Sequence, residues 1–231
     1  MVPTPPPLPP ESIYTSCYCE ENIYLLCQNF LQNPSVNSLW EIFVMFISNT
    51  DKTVALWHQK AAHLPHSPVI WDYHVILILR LRRNAATTIT EYSAKRSWAY
   101  DLDTSLDLPC TWEEYLGFTF PEDLVPAYQS RFRLIHGELY IQNFASDRSH
   151  MLRRVENVAE FASNTADAED FVYSSPPPPY PPIHGPSAAE RGTTNNLMER
   201  YVAMLDDSED LYGCVRDRSG ISRFFEGGDV D

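Results

Sequence analysis

The sequence predicts an α/β (α+β) fold in which a helix packs on a mainly antiparallel sheet, and three observations lead to this prediction. Strand-like segments rich in β-branched and aromatic residues fill much of the region 40–104. A run with helical periodicity begins just before them, near residue 19. The chain has 231 residues, which suits one domain with a single core.

The expected domain covers residues 12–215, and the composition changes at both of its ends. Residues 1–11 are rich in proline, which favours polyproline II geometry, and they are expected to form a disordered or extended arm. Residues 216–231 are expected to form an acidic C-terminal tail. The stretch 152–172 is typical of an insertion, with a short helical pattern followed by acidic residues. That pattern consists of Leu152, Val155, Ala159 and Ala162.

The first helix is predicted from the stripe Ile23, Leu26, Cys27 and Phe30, whose spacing puts these residues on one face. Cys19 lies at the expected start of this helix. Peptide dipoles stabilise an anion at a helix N-terminus, so a thiol there can hold a lowered pKa and attack as a thiolate. Cys19 is therefore the candidate nucleophile, although inert packing is the commoner role of a free cysteine.

Two of the strand-like segments carry a candidate base, His74, and aspartates that could hydrogen-bond it. In VIWDYHVILILRL (69–81), alternation puts Asp72 and His74 on one face, and in RSWAYDLDT (96–104) it puts Asp101 and Asp103 on one face. Residues 81–95 connect these two segments. If the two strands pair, one of the two later carboxylates lies close enough to hydrogen-bond the His74 imidazole. The two other strand-like segments are WEIFVMFIS (40–48) and TVALWHQ (53–59).

Cysteine, histidine and aspartate in this order are the groups that thiol catalysis requires. The carboxylate fixes the imidazole tautomer, and the imidazolium keeps the thiolate ionised. A lone histidine in an apolar strand is more often structural, and the residues alone leave the choice between Asp101 and Asp103 open.

Composition and net charge disfavour nucleic acid and membranes as binding partners. The formal net charge is −14, from 31 acidic and 17 basic residues, which disfavours nucleic acid because phosphate binding needs a basic surface. No stretch is apolar for the roughly 20 residues that a membrane-crossing helix needs, so we expect no membrane partner. Five cysteines and no recognisable secretory leader indicate reduced thiols and a cytoplasmic or nuclear protein. We expect a monomer without a cofactor. We also expect no metal, because C-x-C without a second close Cys/His pair is poor zinc spacing.

Two further motifs have competing interpretations. The run Pro176 to Pro182 is either a ligand for a proline-reading domain or a stiff strap over the fold's own surface, and we favour the strap. Ser146, Asp147, Ser149 and His150 suggest a serine-nucleophile site, but triad members usually come from separate elements, so a hydrogen-bonded loop is favoured.

The motifs assembled above resemble those of the protein N-terminal glutamine amidohydrolase family. The similarity runs through most of residues 14–151 and more thinly through 176–215, while the segments 81–95 and 152–172 are longer than the family pattern. The motifs that carry the resemblance are SCYCEEN (16–22), FISN (46–49), VIWDYHV (69–75), YDLDT (100–104), NFASDRSHM (143–151) and PPPPYP (176–181).

The resemblance implies a papain/transglutaminase-like fold with the nucleophile-bearing helix packed against the sheet. It places the nucleophile at Cys19, the base at His74 and the orienting carboxylate at Asp101. The implied reaction is deamidation of an N-terminal glutamine of proteins or peptides to glutamate, with release of ammonia, in the N-degron (N-end rule) pathway.

Recognition of a free N-terminus requires a carboxylate for the α-ammonium group. Glu20 and Asp72 are the candidates, against the commoner role of ordinary solvated or structural carboxylates. The sequence does not identify a second oxyanion donor. The alternative functions are a papain/transglutaminase-like cysteine peptidase or transferase and a non-catalytic interaction module built on the proline runs.

Overall fold

The computed structural model describes residues 3–82, 97–154, 171–205 and 212–226. Its centre is a six-stranded sheet in which every neighbouring pair is antiparallel, which confirms the predicted mainly antiparallel α/β class. In spatial order the sheet consists of β10 (Cys214–Arg216), β7 (Arg131–His136), β1 (Trp40–Ser48), β4 (His74–Leu81), β5 (Ser97–Tyr100) and β6 (Cys110–Thr111).

Two short ribbons lie outside this sheet. One pairs β2 (Val54–Leu56) with β3 (Val69–Trp71), and the other pairs β8 (Leu152–Arg154) with β9 (Phe171–Tyr173). The helices are α1 (Cys19–Gln32), α2 (Pro34–Asn37), α3 (Trp112–Thr119), α4 (Gly137–Asn143), α5 (Pro186–Glu190) and α6 (Arg218–Glu226). Single 3₁₀ turns span Pro126–Tyr128 and Ser149–Met151, and a π-helical segment spans Leu197–Val202.

Helices cover both faces of the central sheet and produce two apolar clusters. The α1 stripe Ile23, Leu26, Cys27 and Phe30 is buried in one cluster, as its periodicity predicts, together with residues of β1 and β4. The opposite face packs against α3 and α6. The result is a three-layer arrangement with the sheet in the middle.

Strand β4 shows the predicted alternation, because successive side chains of a strand point to opposite faces. Val75 and Leu77 belong to the cluster beneath α1, whereas Ile76 and Ile78 belong to the cluster on the other face. The predicted strand 69–81 is divided, however, since β3 ends at Trp71 and β4 begins at His74. Asp72 lies between the two strands and is exposed, so it does not continue the His74 face.

The C-terminal boundary predicted from the sequence is wrong. Residues 218–226 form α6 rather than part of an acidic tail, and Ile221, Phe224 and Phe225 are buried against the sheet. Their spacing of three and four residues gives the helix one apolar face, which packs on the sheet.

The N-terminal arm and the proline run both lie along the domain. The Tyr100 hydroxyl donates to the Pro6 carbonyl at 2.6 Å, and Leu8 packs against the cluster beneath α1. Arg148 donates to the carbonyls of Pro178 and Pro181, which supports the strap interpretation of the proline run.

Two sequence predictions fall largely outside the described residues. The connection 81–95 is described only at residues 81 and 82, and the 152–172 insertion is described only at its ends. There Leu152, expected in a helix, belongs to β8. Within the described ranges, none of the helices combines the length and apolar character needed to cross a membrane.

Candidate active site

A cavity of about 490 Å³ lies where the start of α1 meets the start of β4 and the loop after β5. Each of these three elements contributes a side chain that the sequence singled out. Cys19, His74 and Asp103 line the cavity, and Asp101 lies behind His74.

His74 and Asp101 form a buried hydrogen-bonded pair. Nε2 of His74 lies 2.8 Å from Oδ1 of Asp101, and the two side chains are 2% and 0% exposed. This contact involves Asp101 and not Asp103, which is the choice that the sequence motifs imply. Because Nε2 faces the carboxylate, Nδ1 is the nitrogen of His74 that remains for a reacting group.

The carboxylate of Asp101 is held by donors on both oxygens. Oδ1 also accepts the backbone N–H of Asp103 at 2.9 Å, while Oδ2 accepts the Gln59 amide at 3.1 Å and the Tyr115 hydroxyl at 2.9 Å. Burial raises the pKa of Asp101, but the charge of His74 and these hydrogen bonds outweigh it and the net shift is downward. Asp101 therefore stays ionised.

The same pair raises the basicity of His74. Burial alone lowers the pKa of a histidine, but the charge and hydrogen bond of Asp101, with the charge of Asp103, raise it above its usual value. His74 is thus a stronger proton acceptor than a free imidazole.

Cys19 is the first residue of α1 and is partly buried. The backbone N–H of Val75, the residue after His74, hydrogen-bonds its thiol. Burial nevertheless raises the pKa of Cys19 well above its ordinary value, and the charges of Glu20, Asp103 and Asp72 raise it further. Burial and these charges therefore oppose the lowering of the thiol pKa that was expected at the helix start.

Glu20 lies beside the nucleophile but inside the protein. Its side chain is 0% exposed, Oε2 is 3.7 Å from the Cys19 sulfur, and Oε2 accepts the Tyr73 hydroxyl at 3.0 Å. Oε1 lies 3.5 Å from Nε2 of His150. Burial raises the pKa of Glu20 to about 7, so this carboxylate is still partly charged near neutral pH, and burial lowers the pKa of His150.

Trp71 lines the cavity and carries a buried indole N–H. Its ring stacks on the His74 imidazole with centroids 6.1 Å apart and an angle of 16° between the planes. The indole nitrogen is buried and meets no hydrogen-bond partner among the described residues. A buried donor without a partner costs stability.

The start of α1 is fixed by a buried ion pair. Arg148 donates to both oxygens of Glu21, at 2.8 Å each, and reaches the carbonyls of Pro178 and Pro181 on the proline strap. A bidentate pair of this kind restricts both side chains. It ties the helix that carries Cys19 to the loop that carries His150.

The two candidates for the α-ammonium group lie in different surroundings. Asp72 is exposed and lines the cavity, and its Oδ1 accepts the backbone N–H of Tyr73. Glu20 is buried, and the residues that line the cavity do not include it. Asp103, which the sequence did not single out for this role, lines the cavity together with Asp72.

The loop 146–150 is hydrogen-bonded within itself, as expected. Ser146 accepts from the backbone of Arg148, Asp147 accepts from the backbone of Ser149, and Asn195 donates to both Asp147 and Ser149. His150 differs from the rest of the loop because it faces the cavity.

Ligand atoms of His74, Asp101 and Asp103 lie within 4.8 Å of one another, a spacing compatible with a metal ion. Their hydrogen bonds fit a catalytic pair better, because Asp101 accepts two donors on each oxygen and has no lone pair left for a metal. The only such cluster within the described ranges contains no cysteine, and all five thiols are free.

Sequence reasoning missed four residues of this site. Trp71 and His150 lie within quoted motifs, but their contacts depend on the fold. Gln59 and Tyr115 lie far from Asp101 in sequence and meet it only in the folded chain.

Comparison with known proteins supports the family resemblance that the motifs indicate. The sequence pattern of the N-terminal glutamine amidase family matches residues 14–225. A human protein named protein N-terminal glutamine amidohydrolase is 38% identical over 203 residues, which are 86% of this chain and 82% of that protein. Proteins of the same name are 35% identical over 210 residues in Oryza sativa subsp. indica (88% and 78%) and 36% identical over 194 residues in Arabidopsis thaliana (83% and 75%).

Proposed function

The chain belongs to the N-terminal glutamine amidase family, and from this membership we propose that it deamidates N-terminal glutamine with a Cys19–His74–Asp101 triad. The observation that carries the proposal is that Cys19 and His74 line one cavity, with Asp101 hydrogen-bonded to the far side of the imidazole. Nucleophile, base and orienting carboxylate in this order are the parts that thiol-dependent amide hydrolysis needs.

The reaction begins with transfer of the Cys19 proton to Nδ1 of His74. The sulfur attacks the side-chain carbonyl carbon of glutamine, and the tetrahedral intermediate collapses to a thioester as His74 returns the proton to the departing ammonia. His74 then takes a proton from water, which attacks the thioester and releases glutamate. Asp101 stays ionised throughout and stabilises the imidazolium.

Two donors are proposed for the oxyanion. The backbone N–H of Cys19 lies in the first turn of α1, where amide groups are not used by the helix itself. We assign the second donor to the indole nitrogen of Trp71, because it is buried at the cavity, stacked on the base and unpaired in the described structure. This group can gain its hydrogen bond in the transition state.

The substrate's α-ammonium group is proposed to face Asp72, with Asp103 beside it. Both carboxylates line the cavity, so they can reach a bound N-terminus. The burial of Glu20 speaks against direct contact with substrate, so its earlier candidacy gives way to a role beside the thiol.

Membership of the same family also supports proposals on fold relationship, oligomeric state, location and pathway. We propose the papain/transglutaminase-like relation between the α1 nucleophile and the sheet, a monomeric enzyme in the cytoplasm or nucleus, and a role in the N-degron pathway acting on proteins that expose N-terminal glutamine.

Three peptides test the proposal. They carry glutamine at the N-terminus, glutamine at an internal position, and asparagine at the N-terminus, and their products are read by mass spectrometry with ammonia measured in parallel. Only the first peptide is expected to change from amide to acid, with one ammonia released per peptide. Cleavage of the chain or transfer to an added amine would instead identify a peptidase or a transferase, and no reaction would refute the proposed activity.

A further inference from the structure

The nucleophile lies among carboxylates. The Glu20 carboxylate is 3.7 Å from the Cys19 sulfur, and Asp72 and Asp103 line the same cavity. Oε2 of Glu20 accepts from two neutral donors, the Cys19 thiol and the Tyr73 hydroxyl. A thiolate formed here shares its surroundings with negative charge, and like charges at this distance disfavour each other.

The cations near the site are either paired with other groups or exposed to solvent. Arg148 is taken by Glu21, and Nζ of Lys60 donates to the Leu102 carbonyl. Arg153 lines the cavity but is exposed, so solvent screens its charge. The remaining titratable groups near the thiol are His74, His150, Tyr14, Tyr73, Tyr140 and Cys17.

We propose that the substrate's α-ammonium group supplies the positive charge that lets Cys19 ionise, so that a free N-terminus activates the nucleophile as well as identifying the substrate. The inference rests on the proposed deamidation of N-terminal glutamine. When the ammonium group binds, the proton on the sulfur passes to Nδ1 of His74. An N-terminus without a charge leaves the thiol in its neutral, resting form.

The geometry of glutamine makes this coupling strong. Four bonds separate the attacked carbon from the α-nitrogen, so the ammonium lies about 6 Å from the sulfur at the moment of attack. A unit charge at about 6 Å, at an effective dielectric constant of about 20, changes a pKa by about two units. Burial and the neighbouring carboxylates raise the pKa of Cys19, which agrees with this requirement.

Glu20 acts as a positioning residue in this scheme. It lies 3.7 Å from the sulfur on the inner side of the site, and its charge raises the thiol pKa that the ammonium has to offset. Glu20→Gln keeps the size of the side chain and an acceptor for Tyr73 while removing the charge. Glu138→Gln is the matched control, because Glu138 is an exposed carboxylate on α4.

The direct test measures the thiolate absorbance of the full-length protein as a function of pH, with Cys19→Ser as background for the other thiols. The probe is a peptide that begins with norvaline, which carries the α-ammonium group and a three-carbon side chain but no amide to react. Saturating peptide is expected to lower the Cys19 pKa by about one to two units. Glu20→Gln is expected to lower the thiol pKa without peptide, so that less of it remains for the ammonium to offset, while Glu138→Gln behaves as the unmodified protein.

A second measurement keeps the test decisive if the norvaline peptide binds weakly. The pH profile of kcat is compared for the glutamine peptide and for its des-amino counterpart, which lacks only the α-ammonium. Both limbs are expected about one unit or more higher with the des-amino peptide, because the cation is missing from the complex. Identical kcat profiles with a change in KM alone, or an unchanged thiol pKa with bound norvaline peptide, would overturn the inference while leaving the deamidation of N-terminal glutamine intact.

Discussion

Replacing Asp101 by asparagine tests the centre of the proposed mechanism. The substitution keeps the shape of the side chain and removes its charge. Gln59 and Tyr115 face one oxygen of Asp101, while His74 and the fixed backbone N–H of Asp103 face the other. The amide nitrogen is expected on the side of Gln59 and Tyr115, because a side-chain amide can flip and a hydroxyl can rotate to accept.

This orientation of the amide determines how much kcat the substitution costs. The amide oxygen stays opposite Nε2 of His74, so the imidazole keeps its tautomer and loses only the negative charge that stabilises its protonated form. A charge pair about 4 Å apart at an effective dielectric constant of about 20 is worth about 4 kcal/mol, which corresponds to a loss of about 10³ in kcat. The charge of Asp101 also raises the pKa of His74, so its removal lowers that pKa and moves the acid limb of kcat/KM to lower pH.

Ammonia release from a glutamine-initiated peptide, measured across pH, gives both quantities. Asp103→Asn is the control, since Asp103 does not hold the imidazole nitrogen, and it is expected to cost less than about tenfold in kcat because it removes a more distant charge. Equal losses for the two variants, or an acid limb that does not move in Asp101→Asn, would refute the assignment of Asp101 as the orienting carboxylate.

Three further predictions address the rest of the site. Cys19→Ser should abolish measurable deamidation because a hydroxyl is a far weaker nucleophile, whereas Cys17→Ser, at an exposed thiol, should keep most of the activity; the reverse pattern would move the nucleophile to Cys17. Trp71→Phe should lower kcat about 10²-fold with little change in KM, and loss through KM alone would argue against an oxyanion donor. Arg148→Met should destabilise the fold by about 3–5 kcal/mol in chemical denaturation, because it leaves Glu21 buried without a partner, and adding Glu21→Gln should recover much of that loss if the ion pair is the cause.

The sequence predicted what depends on local periodicity. The α1 stripe, strand β1 and the alternation along β4 all follow from spacing between near neighbours, and each is present in the structure. The break between β3 and β4 was missed because Asp72 and Tyr73 fit the alternation, although neither continues a strand. The α6 helix was missed because the acidic residues at the very end of the chain, Asp229 and Asp231, drew attention away from the apolar spacing of Ile221, Phe224 and Phe225.

Side-chain environments were harder to predict because they depend on distant contacts. The lowered thiol pKa expected at the helix start considered only the α1 dipole, while the structure adds burial and three carboxylates. Glu20 next to a nucleophile in sequence suggested a substrate contact, but the helix turns its side chain inward toward Tyr73 and His150. Nothing in residues 16–22 alone indicates that direction.

Strand register links the fold to the chemistry. β4 pairs antiparallel with β5 so that Leu77 lies opposite Tyr100, which brings the first residue of β4 beside the chain that leaves β5. A slip of one residue would turn His74 to the opposite face and away from Asp101. The apolar residues of β4 prevent that slip, because Val75 and Leu77 would leave the cluster beneath α1 and Ile76 and Ile78 the cluster on the other face. The buried core therefore fixes the catalytic pair without contacting the substrate, and core substitutions that loosen this register should reduce activity before they unfold the domain.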